Sequence, residues 1–108
     1  MIAYTYEIRL PLGKALTEVV DSLDNENPGF RNNLQLMKAY HEERGNGSSI
    51  NLSDDNLTTI SFLWNDQAEI DTFLAYVDSI CDYDEFLEKY RNAVEGFGGT
   101  FLRTQQEL

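Results

Sequence analysis

The chain opens on a strict alternation of side chains. Ile2, Tyr4, Tyr6, Ile8 and Leu10 fall on one side of an extended backbone, and Ala3, Thr5, Glu7 and Arg9 on the other. A period of two, rich in β-branched and aromatic residues, predicts a half-buried strand over 2–10. Pro11 closes it, and a helix can begin there, where a missing N–H costs little. Leu12, Leu16, Val19, Val20 and Leu23 then recur at helical spacing, and the run DNENPG at 24–29 breaks the pattern. A second helical stretch sets Phe30, Leu34, Met37 and His41 on one stripe and ends at Arg44 and Gly45. GNGSS at 45–49 reads as a loop. Ile50 and Leu52 mark a short strand, and SDDN at 53–56 is turn chemistry. In the run from Leu57 to Trp64, Ile60, Phe62 and Trp64 share one face and Thr59, Ser61 and Leu63 the other, so 49–64 reads as a β-hairpin.

Asp66 and Glu69 carry the spacing of a helix start, and Ile70, Phe73, Leu74, Val77, Ile80 and Cys81 form the apolar face that follows. Asp82 and Glu85 repeat the signal ahead of Phe86, Leu87, Tyr90 and Val94. Gly96, Gly98 and Gly99 end this last helix, and Thr100 to Thr104 read as a closing strand. With each helix pair counted as one broken layer, the order is β-α-β-β-α-β. The expected fold is an α+β sandwich of ferredoxin-like topology, a single domain over 1–108, with Ile2, Tyr4, Tyr6, Ile8, Ile60, Phe62 and Trp64 as the sheet face beneath the helices.

This order of elements resembles the dimeric α+β barrel superfamily, which includes the antibiotic-biosynthesis monooxygenases. The aromatic strand TTISFLWND, leading directly into the acidic helix start of QAEIDTFLAYV, adds to the resemblance. The likeness is one of pattern and spans nearly the whole chain. It implies a homodimer whose two sheets pack face to face, with the helices outside and a pocket in each chain between sheet and helices. Some relatives oxidise aromatic polyketides there without metal or flavin, and others degrade haem. The haem reading needs basic surroundings, which this chain does not offer.

Charge narrows the partners. Nineteen acidic residues against eight basic ones give a net charge of −11. That argues against a nucleic-acid binder and against attachment to an anionic membrane surface. No apolar run has the length of a membrane span, and the N-terminal MIAYTYEIRL lacks the basic start and apolar core of a secretion signal. A cytoplasmic protein is expected. With Cys81 as the sole cysteine, no intramolecular disulfide forms. Between residues 45 and 88 there are ten acidic residues and no Lys or Arg. A helical wheel begun at Asp66 sets Asp71, Asp78 and Asp82 on one ridge. This suggests an alternative function, an acidic interaction protein that mimics nucleic acid and blocks a basic partner; a plain solvated face is the simpler account.

The candidate chemistry is sparse. His41, the only histidine, lies on an apolar stripe and is the candidate proton-transfer residue of a sheet–helix pocket. The simpler account makes it a partly buried histidine near a helix C-terminus. Tyr6, Phe62, Trp64 and Tyr76 are the candidate ligand-binding residues, aromatic walls for a small apolar or aromatic molecule; core packing explains the same residues without a ligand. Cys81 reads as a small apolar core residue. No spacing of metal ligands occurs, and the glycines at 96–99 follow a helix, the reverse of a phosphate-binding turn. No cofactor is expected. The polar, small-residue face of Thr5, Glu7, Arg9, Thr59, Ser61 and Leu63 is the expected dimer interface, with Glu7 and Arg9 pairing at its margin.

Overall fold

The computed structural model describes all residues 1–108. Strand β1 (Ile2–Arg9) is followed by helices α1 (Leu16–Glu26) and α2 (Phe30–Arg44), strands β2 (Ser48–Leu52) and β3 (Leu57–Trp64), helices α3 (Gln67–Asp78) and α4 (Tyr83–Gly96), and strand β4 (Thr100–Glu107). The four strands form one open antiparallel sheet in the order β2-β3-β1-β4. The register sets Ile2 against Trp64, Tyr4 against Phe62 and Tyr6 against Ile60. The even positions of β1 and β3 therefore share one face, and all four helices cover that face.

The core has two parts. The larger gathers Ile8, Leu10, Val19, Leu23, Phe30, Met37, Val77, Tyr83, Phe86, Tyr90, Val94 and Phe101. The smaller joins Ile2, Tyr4, Trp64 and Ile70. Each fully buried Val or Ile contributes roughly 1.5–3 kcal/mol. Helix α2 is pinned near both ends. Phe30 stacks on Phe86 at 4.4 Å, and His41 packs edge-on against Phe62 and Trp64 at 4.5 and 4.8 Å. Leu34, between these anchors, stays half-buried.

The helix starts follow their capping chemistry. The Asp66 carboxylate accepts the Glu69 N–H at 3.0 Å, and Glu69 accepts the Asn65 N–H at 2.8 Å. Asp82 accepts the Glu85 N–H at 3.2 Å. Four expectations are corrected. Helix α1 begins at Leu16, not at Pro11, and Leu12 is 77 % exposed. The side-chain amide of Asn56 explains this: its Nδ2 donates to the carbonyls of Leu10, Pro11 and Lys14 at 3.3, 2.9 and 2.8 Å, which holds residues 10–14 as a loop. The same helix runs on to Glu26, so only the end of DNENPG breaks it. Helix α3 ends at Asp78, leaving Ile80 and Cys81 in the connection to α4. Strand β4 continues to Glu107, because its pairing with β1 runs the full length of that strand.

The other sheet face carries no helix. Ala3, Thr5, Glu7, Thr59, Ser61 and Leu63 lie half-buried there among their neighbours, and the Thr5 and Ser61 hydroxyls are 3.1 Å apart. Arg9 pairs with Asp55 of the β2–β3 turn rather than with Glu7. No helix is long and apolar enough to cross a membrane.

Candidate functional site

Between the sheet and the helices lies a cavity of about 340 Å³. Its floor is the aromatic sheet face, Tyr4, Tyr6, Ile60, Phe62, Trp64 and Phe101. Its roof comes from all four helices, through residues such as Val20, Leu34, Phe73, Tyr83 and Leu87. Seventeen of the 23 lining residues are hydrophobic, so an apolar molecule gains by leaving water for this space. The charged lining residues are Asp21, Arg31 and Lys38, on α1 and α2. Arg31 is held by Asp21 and Asp24, which ties the two helices together. Beside them the edge strand β2 leaves Ile50 and Leu52 64 % and 65 % exposed.

Four of the five residues singled out from the sequence converge on this cavity: His41, Tyr6, Phe62 and Trp64. Tyr76 does not. Helix α3 turns Phe73 toward the cavity, while Tyr76 stacks on Tyr40 at 4.6 Å. His41 is 3 % exposed and is the one polar residue of the core. Its Nε2 lies 3.4 Å from the Leu63 carbonyl, and its Nδ1 is buried with no protein partner. Burial pushes the imidazole pKa below its ordinary value, against weaker opposing pulls from the Leu63 carbonyl and Glu42. The neutral ring is therefore the resting form.

Two residues with no evident sequence signal complete the site. Gly45 leaves the space that the His41 ring occupies: a Cβ there would sit 2.3 Å from Nε2. Tyr83, the first residue of α4, meets Tyr6 hydroxyl to hydroxyl at 2.5 Å. Burial pushes both phenols up, Tyr6 far above the ordinary range, and Tyr90 is pushed up to about 12. The Arg103 guanidinium lies over the Tyr4 ring at 5.1 Å and the Tyr83 ring at 5.8 Å. Spacing along the chain gives no hint of this group, because its members lie on three different elements.

The remaining candidates do not gather. The Cys81 thiol is half-buried, and burial pushes its pKa up, aided by Asp78 and Asp82. No group of three His, Cys, Asp or Glu side chains stands together as a metal site. The acidic ridge does not run along one helix. Asp71 accepts from Gln67 at 3.0 Å, α3 stops at Asp78, and Asp82 serves as the N-cap of α4. No family of known proteins matches this chain, and no curated protein is significantly similar to it.

Proposed function

We propose that this protein binds a small apolar or aromatic molecule between its sheet and its helices, with His41 as the group that acts on it. The observation that carries this reading is the apolar cavity of about 340 Å³ with a single buried imidazole in its wall. A neutral imidazole in reach of a bound molecule can take a proton from it. That is the opening step of a cofactor-independent rearrangement or, with dioxygen as the acceptor of the electrons, of an oxidation, the activity we assign. The strand order β2-β3-β1-β4 with helices on one face supports a ferredoxin-like topology. The uncovered, small-residue sheet face supports a second copy packed against it, as in a dimeric α+β barrel. A single cysteine suits a reducing compartment, so we place the protein in the cytoplasm.

A native mass spectrum of the purified protein tests this directly. A dimer that carries a small molecule is the expected result. A bare monomer at micromolar concentration refutes the barrel. Failure of small aromatic molecules to bind in a separate titration refutes the cavity reading.

A further inference from the structure

The kind of molecule the cavity takes is set at its open side, an inference that rests on the cavity reading above. The lining is buried on α4 and β4, at Tyr83, Phe86, Tyr90 and Phe101. Its exposed members are Thr17 and Asp21 of α1, Lys38 of α2, and Ser48 and Ile50 of β2. The mouth therefore lies between α1, α2 and the edge strand β2. Ser48 pairs with Phe62 and Ile50 with Ile60, so β2 carries the cavity floor out to the edge of the sheet. A molecule held here has an apolar body under the helices and one end in water at the rim.

The rim has one cation to offer. Of the three charged lining residues, Asp21 and Arg31 pair with each other, and Asp24 holds Arg31 as well at 3.4 Å. Lys38 has Glu42 alone, at 3.9 Å, beyond hydrogen-bond reach, and both side chains are 59 % exposed. An exposed pair of this kind holds its members weakly. The long, flexible stem of lysine lets the ammonium turn to another anion. The net charge of −11 opposes an approaching anion, but salt at physiological strength screens charges more than about 8 Å away, so contact with Lys38 decides. A carboxylate at the rim keeps much of its water, so it escapes the cost of burying a charge. We infer that the cavity selects an aromatic or other apolar carboxylic acid, its body on the aromatic floor and its carboxylate paired with Lys38 at the mouth.

The probes are 2-naphthoate and 2-naphthamide, which match in shape and differ in charge. Trp64, the only tryptophan, lines the cavity, and the change in its emission reports occupancy. At neutral pH naphthoate is expected to bind about fivefold tighter than the amide, the size of one exposed ion pair. Lys38→Gln should abolish that preference and leave the affinity for the amide unchanged; position 38 is exposed, so the fold tolerates the change. Lys89→Gln removes the same charge from α4, away from the cavity, and should keep the preference. Equal affinity for the two probes, or tighter binding of the amide, with Trp64 responding to both, overturns the anion requirement and leaves the cavity reading standing. A preference that survives Lys38→Gln, or that Lys89→Gln removes as well, overturns the role of Lys38. Binding of neither probe overturns the cavity reading and this inference with it.

Discussion

Replacing Gly45 by alanine isolates the contact that holds His41 in place. Gly45 has φ −80° and ψ 173°, a conformation open to any residue, so backbone freedom is not what calls for glycine here. Space is. A Cβ at position 45 would lie 2.3 Å from Nε2, 2.5 Å from Cδ2 and 2.7 Å from the carbonyl oxygen of His41. These atoms must separate by about 1 Å to reach ordinary contact. The imidazole has little freedom to yield, since Phe62 and Trp64 hold its other sides at 4.5 and 4.8 Å. Overpacking of this kind costs about 1–3 kcal/mol. The smaller conformational freedom of alanine in the unfolded chain returns roughly 0.4–1 kcal/mol. The net loss is about 1–2 kcal/mol, which lowers Tm by roughly 5–10 °C in a domain of this size. Thermal denaturation followed by circular dichroism measures it, and the histidine ¹⁵N spectrum reports whether the ring moves. The same substitution made in His41→Ala should be neutral or stabilising, and the difference between the two backgrounds is the coupling of the pair. A Gly45→Ala variant as stable as the parent, with His41 resonances unmoved, refutes the steric account.

Further expectations concern the same region. Folding lowers the His41 pKa below its ordinary 6.5, so the unfolded chain binds the proton more tightly. Stability is fully present above about pH 6.5 and declines as pH falls from there through the lowered folded value; urea titrations across this range should show the decline in the parent and not in His41→Gln. Asn56→Ala removes three hydrogen bonds to the 10–14 loop and places alanine at φ 62°, and should cost about 2–3 kcal/mol in denaturant unfolding. Tyr6→Phe breaks the hydroxyl pair with Tyr83 and should cost about 1 kcal/mol by the same measurement, with the fold unchanged. Because Tyr4, Tyr6, Tyr83 and Tyr90 all ionise above the ordinary phenol range, absorbance at 295 nm near pH 10.5 should stay well short of the value reached on unfolding.

The alternation Ile2–Tyr4–Tyr6–Ile8 and its counterpart Ile60–Phe62–Trp64 were legible because a strand's period of two is a local property. The Asp66–Glu69 and Asp82–Glu85 starts were legible for the same reason, since a cap and its partner lie three residues apart. Where a distant group intervenes, local reading stops. Leu12 continues a helical spacing, yet Asn56, more than 40 residues on, bonds the carbonyls around it and holds them as a loop. The ridge of Asp71, Asp78 and Asp82 assumed one continuous helix, and the end of α3 at Asp78 divides it.

Periodicity, with cap and turn signals, thus determined the number and order of the elements and the aromatic composition of one sheet face, because each depends on neighbours within a few residues. It also placed His41 on an apolar stripe. Tertiary structure decided what that stripe faces. Phe30 and His41 anchor α2 at its two ends, and the half-buried Leu34 between them lines the space below. Tyr76 was read as a wall of the cavity, but Phe73 of the same helix meets the cavity instead, and Tyr76 stacks on Tyr40 of α2. The contacts of His41 with Phe62, Trp64 and the Leu63 carbonyl and the Tyr6–Tyr83 pair join residues far apart in the chain, and packing alone brings such residues within reach of one another.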